Sequence, residues 1–333
     1  MFALIGLLFA SPTAVAQPAD FQTAFRHSGF VSVLRGDDLI VIGGLVGVEG
    51  GTRPVTANYK VDMRTGDATS ISTDVIFSNG NAAALLGDIT YVSGGMALVS
   101  QRLPSGAYST GFSDAFAAYD IANDSWRRLP DMPTTALGHC SFANDGSVYV
   151  VGGQQERPMR PFRSPYTTAT RILQFSIADN RWSWIEAPVG ALAQYAACTR
   201  RGDEYFLMGG YRDGSASKEV WVWNFVTNTW SRGPDLPNAV SGAKAITHGD
   251  AIYIAGGSVY HDVNGAATRV VDHRIWTLEN GAQEWAVAGE ISEGRAGHAL
   301  VEWNDGIFLV GGMALDRPLD RPRPLGLWIE RTN

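Results

Sequence analysis

The sequence predicts an all-β protein folded as a β-propeller of six blades. Three observations predict it. A Gly-Gly doublet closes an apolar run six times along the chain, a tight-turn signal precedes each of those runs, and an aromatic pair spans a second turn downstream of several of them.

The doublets are Gly43-Gly44, Gly94-Gly95, Gly152-Gly153, Gly209-Gly210, Gly256-Gly257 and Gly311-Gly312, spaced by 51, 58, 57, 47 and 55 residues. The text before them is nearly constant: GDDLIVIGG, GDITYVSGG, DGSVYVVGG, GDEYFLMGG, GDAIYIAGG and DGIFLVGG. Gly-Asp or Asp-Gly is a tight hairpin turn. The run after it is too short for a helix and apolar on both faces, as in a strand covered by sheets on either side. Two glycines then let the backbone take a positive φ or approach another strand closely. The second hairpin signal reads YDIANDSW at Tyr119 to Trp126, FSIADNRW at Phe175 to Trp182 and WNFVTNTW at Trp223 to Trp230. Each places two aromatics seven apart across a turn rich in Asn and Asp.

A period near 50 with a Gly-Gly doublet and then spaced aromatics resembles the kelch repeat, which implies a six-bladed kelch-type propeller of four-stranded blades. One blade cannot bury both of its faces, so neighbours supply the apolar cover and ring closure removes the open ends. After Gly312 there is room for one more strand, near LGLWIERTN, but not for two. The expectation is therefore that an N-terminal strand, Phe21 to Arg26, joins the last blade and closes the ring. Residues 1–16 read as a signal peptide, apolar from Phe2 to Ala10 with AVA before Gln17, although no Lys or Arg precedes Arg26. The propeller then occupies residues 17–333, and export to the periplasm is expected.

Bulk composition narrows the function. The 333 residues are 45% hydrophobic and 18% charged, with 38 Gly and 10 Trp, which suits short strands joined by tight turns. Net charge is −7 and no basic run interleaves with aromatics, so nucleic acid is not an expected partner. No later segment reaches 18 uninterrupted apolar residues, so no membrane span is expected. Two cysteines, Cys140 and Cys198, do not make a disulfide framework; they could pair in an oxidising compartment, while packing as small hydrophobes is the first expectation. No Walker loop, H-E-x-x-H, C-x-x-C or EF-hand pattern occurs, and no cofactor or metal is expected.

Function in a propeller should show where a repeat position breaks its pattern near the axis. Fourteen residues before the doublets stand Gly29, Gly80, Gly138, Tyr195, Gly242 and Gly297. Tyr195 alone departs, so it should project into the channel or cap it. His139 and His298 share the next slot, which reads as framework, with His139 kept as a candidate proton donor. Arg26, Asn79 and Arg295 lie just upstream of this slot in their own repeats. The loops after the doublets are the second source. Gln154, Glu156, Arg160 and Arg163 lie in a proline-stiffened loop with an excess of arginine, suited to holding a carboxylate. The next loop offers Tyr211, Arg212 and Asp213.

Two further stretches, AGEISEGRAGHALVEWNDGIFLVGG at Ala288 to Gly312 and ALGHCSFANDGSVYVVGGQ at Ala136 to Gln154, resemble the bacterial exported kelch propellers related to N-acetylneuraminate epimerase, the sialic acid mutarotases. Arg295 matches that family's Gly-Arg-Ala motif. In the segment LMGGYRDGSASKEVW, the family's glutamate is replaced by Tyr211 and its arginine by Ser217 or a neighbour. The resemblance implies a cofactor-free mutarotase or epimerase acting on a small acidic sugar. Glu156 or Asp213 would be the base, His139 or Tyr195 the proton donor, and Arg160, Arg163 or Arg295 the carboxylate holder. The alternative is a non-catalytic propeller that binds a glycan or a protein.

Overall fold

The computed structural model describes residues 28–48, 51–73, 75, 77–102, 108–156, 166–212, 214–263, 266–270, 272–314 and 329–332. They form β structure, with no helix among them. Five sheets are four-stranded antiparallel meanders whose spatial order follows the sequence. The first holds Val31–Arg35, Asp38–Ile42, Asn58–Asp62 and Ala68–Ile71. The second holds Asn81–Leu86, Ile89–Gly94, Phe116–Asp120 and Ser125–Arg128. The third holds Cys140–Asn144, Ser147–Val151, Arg171–Ser176 and Arg181–Glu186. The fourth holds Ala197–Arg201, Glu204–Met208, Val220–Asn224 and Thr229–Arg232. The fifth holds Lys244–His248, Ala251–Ala255, Arg274–Leu278 and Ala286–Glu290. A last sheet has three described strands, Arg295–Trp303, Gly306–Ala314 and Ile329–Thr332. Among the described residues there are thus five complete blades rather than the six that the repeats predict. The expected closing strand, Phe21 to Arg26, lies outside the described residues.

The apolar core is divided between the sheets. Ile40, Ile42, Val92 and Tyr119 fill the space between the first and second. Phe116, Val148 and Phe175 join the second to the third, and Phe142, Tyr205 and Trp223 the third to the fourth. Phe206, Val222, Ile252 and Trp285 join the fourth to the fifth. The three-stranded sheet meets the fifth through Leu309 and the first through Val301, Phe308 and Val310. Middle strands such as Ser147–Val151 are buried at every residue, as expected for strands covered on both faces.

The repeat text maps onto local geometry. Asp145 and Gly146 both take positive φ in a two-residue turn between Asn144 and Ser147, which keeps the strand twist through the reversal. The aromatic pairs face each other across the outer hairpin: Tyr119 and Trp126 at 5.0 Å between ring centroids, Phe175 and Trp182 at 5.0 Å, Trp223 and Trp230 at 5.7 Å. The doublets tie neighbouring blades. Gly153 N–H donates to the Ala193 carbonyl at 2.9 Å, Gly210 N–H to Val240 at 2.7 Å and Gly257 N–H to Arg295 at 2.7 Å. A Cβ on Gly152 would lie 2.5 Å from that same Ala193 oxygen, so the close approach excludes a side chain.

Cys140 and Cys198 are joined in a disulfide, which corrects the expectation of separate packing. Their separation of 58 is close to one repeat, so both fall on the innermost strands of adjacent blades with Cα atoms 6.3 Å apart.

Candidate functional site

The six axial residues form a chain of backbone hydrogen bonds around the axis. Gly29 N–H donates to Gly297 O at 2.7 Å, Gly80 to Gly29 at 3.3 Å, Gly138 to Gly80 at 2.8 Å, Tyr195 to Gly138 at 2.7 Å and Gly242 to Tyr195 at 2.8 Å. All six have positive φ, between 52° and 74°. The shared geometry explains five glycines and makes Tyr195, at φ 52°, a residue held in a conformation that L side chains avoid. Its ring lies over Gly138, where a Cβ would come within 2.5 Å of Tyr195 Cε1. The side chain is 38% exposed, and partial burial raises the phenol pKa. Tyr195 therefore caps the axis with one face open.

Among the described residues, the loops after the first five doublets fold as β-hairpins on the same side as this ring. The segments leading into four of the innermost strands pair with the start of a hairpin: Ser28 with Leu45, Leu137 with Gln154, Gln194 with Tyr211, and Ala239–Ser241 with Ser258–Tyr260. One face of the propeller thus carries a crown of hairpins around Tyr195. The opposite face carries the two-residue turns.

Gln154 is held in the crown by backbone bonds to Leu137 and is partly buried. Glu156 is exposed. Its N–H donates to Thr135 Oγ1 at 3.1 Å, and its Oε1 accepts from Phe112 N–H at 3.3 Å, so it bridges the hairpins of the second and third blades. Beside it Phe112 stacks on Tyr166 at 4.6 Å. Asn79 lies at the start of the ring, where its carbonyl accepts from Met96 N–H. Tyr211 pairs with Gln194 and Ala216 through its backbone. Arg212 is turned away from ligand duty: Nη1 bonds Glu219 at 2.9 Å and Nε bonds the Leu192 carbonyl at 3.1 Å. Arg295 is 6% exposed and bonded to Glu293 at 2.7 Å. Arg26, Arg160, Arg163 and Asp213 lie outside the described residues.

His139 is 7% exposed, with Nε2 2.8 Å from Ser93 Oγ. Burial, with the Lys244 charge second, lowers its pKa to about 3. His298 is fully buried; burial, Lys244 and Arg295 lower its pKa to about 3. Both imidazoles are neutral framework groups beneath the ring, so His139 does not present a proton to the crown.

Sequence reasoning passed over Lys244. It opens the innermost strand of the fifth blade, two residues after Gly242. Its register partner, Ala255, directly precedes a doublet. The same slot holds Val31, Ala82, Cys140, Ala197 and Ala299, each paired one residue before its own doublet. A single charge in a slot otherwise filled by small or apolar residues was the available signal. Among the described residues no group of His, Cys, Asp and Glu side chains gathers as a metal-ligand set.

Residues 80–312 match the family model described as the KLHDC2/KLHL20/DRC7 Kelch-repeats domain. N-acetylneuraminate epimerase of Shigella sonnei is 24% identical over 308 residues, covering 77% of this chain and 80% of that protein. Kelch-like protein 34 of Homo sapiens is 26% identical over 197 residues, covering 57% of this chain. The chain matches only 30% of the length of that relative and 26% of mouse Kelch-like protein 36. A solved structure titled "Structure of YjhT" superposes with a TM-score of 0.72 over 92% of this chain and 94% of that one, at 21% identity.

Proposed function

We propose, for a chain that belongs to the kelch-repeat family, a propeller that binds a small acidic sugar in the crown over Tyr195. The observation that carries this reading is Tyr195 itself. A strained, half-open aromatic at the one non-glycine position of the axial ring is where the repeat has been altered for something other than folding. An open aromatic face suits the apolar side of a sugar, and polar crown residues such as Gln154 and Asn79 offer hydrogen-bonding groups suited to its hydroxyls. The acidic character of the sugar rests on the arginine-rich loop at Arg157, Arg160 and Arg163 and on the epimerase relatives.

Saturation-transfer NMR with N-acetylneuraminate tests this. Transfer from the protein that is lost at least tenfold in Tyr195→Gly supports the reading. No transfer to this or any other acidic sugar overturns it.

The epimerase relatives favour a second reading, in which the bound sugar is also ring-opened. The anomeric hydroxyl proton passes to a carboxylate, the anomeric carbon to ring-oxygen bond breaks, and the ring oxygen takes a proton from the Tyr195 phenol; reclosure on the other face reverses each step. Glu156 and Asp213 are the candidate bases. Fresh single-anomer sugar followed by NMR distinguishes the readings: equilibration no faster with protein than without leaves binding alone.

In this proposal the three-stranded sheet is a sixth blade, completed by Phe21 to Arg26. Its packing against both the fifth and the first sheets supports that closure. Export is supported by the Cys140–Cys198 disulfide, since such bonds persist in oxidising compartments, and by the apolar segment Phe2 to Ala10.

A further inference from the structure

Two departures from the repeat meet at one junction between blades. Tyr195 is the one non-glycine of the axial ring, and it leads into the innermost strand of the fourth blade. Cys140 and Cys198 are the only cysteines of the chain, and their bond joins the innermost strands of the third and fourth blades. Cys140 follows Gly138 by two residues, and Cys198 follows Tyr195 by three. Tyr195 N–H donates to the Gly138 carbonyl at 2.7 Å, and the Tyr195 ring rests on Gly138. Cys140 Sγ lies 3.6 Å and Cys198 Sγ 3.8 Å from the carbonyl oxygen of Ala196, the residue after Tyr195. A backbone hydrogen bond, a ring contact and a covalent bond therefore hold the same two strands within a few residues of one another. At φ 52° an L residue is strained, and such a conformation persists only where its surroundings over-determine it. A staple serving stability alone could sit at any junction. This one sits where the ring has to be held.

We propose that the Cys140–Cys198 disulfide is a positioning bond for Tyr195, and that the crown binds its sugar only while the bond is closed. Closed, the bond fixes the spacing of the two strands and pins the phenol ring on Gly138 with one face open. Opened, it lets the fourth-blade strand shift, the strained φ relaxes and the ring leaves Gly138. Both cysteines are partly exposed, so a small dithiol reaches them. Its thiolate attacks one sulfur, and its second thiol resolves the mixed disulfide. Two electrons and two protons pass to the cysteines while the dithiol closes to a cyclic disulfide. Binding at the crown is then conditional on an oxidising medium. The binding half of this inference rests on the sugar reading of the crown; the positioning half does not.

Tyrosine labelled with 13C at Cζ gives one NMR signal for each of the 11 tyrosines, and Tyr195 is assigned by its loss in Tyr195→Phe. Contact with Gly138 keeps the phenol partly buried and its pKa raised, so titration reports where the ring sits. In Cys140→Ala/Cys198→Ala the expected result is a moved Tyr195 signal and a pKa back at about 10, with the other signals in place. Wild type reduced with dithiothreitol should match it, and reoxidation should restore the first state. A staple moved by one junction separates positioning from stability. Ala82 and Ser141 occupy the register slots of Cys140 and Cys198 one blade earlier. Ala82→Cys/Ser141→Cys, added to Cys140→Ala/Cys198→Ala, closes a link of nearly the same length and should restore the melting midpoint but leave Tyr195 released. Saturation transfer to N-acetylneuraminate should fall at least tenfold wherever Tyr195 is released. A Tyr195 signal unmoved by opening the bond, or returned by the moved staple, overturns the proposal. Equal sugar binding with the bond open and closed overturns it too. If oxidised wild type binds no acidic sugar, the sugar reading fails by itself, and the Tyr195 signal still decides the positioning.

Discussion

Substituting the first glycine of a doublet should cost far more than substituting a turn glycine with the same backbone angle. Gly209 has φ +64° and Gly202 has φ +60°. An alanine in this region costs about 1–2 kcal/mol at either position. Around Gly202 nothing lies within 4 Å of a built Cβ, so Gly202→Ala should lose only that amount. At Gly209 the Cβ would lie 2.6 Å from the Val240 carbonyl oxygen and 3.0 Å from Val240 Cγ1. The carbonyl must move, and it accepts the Gly210 N–H bond at 2.7 Å that joins the fourth blade to the segment entering the fifth. Losing that bond costs about 1 kcal/mol, and overpacking about 1–3 kcal/mol more. Gly209→Ala should therefore lose about 3–6 kcal/mol, about 2–4 kcal/mol beyond Gly202→Ala. Urea unfolding followed by tryptophan fluorescence measures both, since Trp223 and Trp285 pack on either side of the fourth blade. Equal losses in the two variants would refute the claim that close approach between blades, rather than backbone angle alone, demands the doublet.

Three other outcomes follow from the same geometry. Cys140→Ala/Cys198→Ala, which opens a link of 58 residues, should lower stability by up to about 4 kcal/mol in denaturant, and a reducing agent should reproduce the loss in the wild type; insensitivity to both would remove the disulfide as a staple. His139 and His298 have folded pKa values near 3, below the unfolded value near 6.5, so the unfolded chain binds more protons between those values and stability falls as pH drops from about 6.5 towards about 3. The slope should approach about 1.4 kcal/mol per pH unit for each histidine, and His298→Gln should roughly halve it; an unchanged slope would contradict buried neutral rings. At φ 52°, Tyr195→Gly should be more stable than Tyr195→Ala by about 1 kcal/mol in thermal melts, whereas equal melting would mean the backbone there is free to relax.

The repeated elements were readable because each is encoded within a few residues. Asp145-Gly146 announces its turn by composition, and the turn is present. Tyr119 and Trp126, or Trp223 and Trp230, announce their facing by a spacing of seven across a four-residue loop. Tyr195 was visible as a departure from glycine, and the axial hydrogen bonds supply the reason. His139 and His298 read as framework from their shared slot, and both rings are buried. Arg212 was attractive as a loop cation because nothing local reveals Glu219, seven residues on across a strand turn, as its partner. Lys244 went unnoticed because its singularity appears only when its slot is aligned through strand register.

By itself the sequence determined the all-β class, the repeat length, the turns and the covered strands, because those depend on backbone freedom and burial pattern inside one repeat. Only the tertiary structure decided what one repeat does to another. The Cys140–Cys198 bond and the enclosure of His139 both depend on how sheets are turned about an axis. That angle is set by packing summed over every interface, and no short stretch of chain contains it.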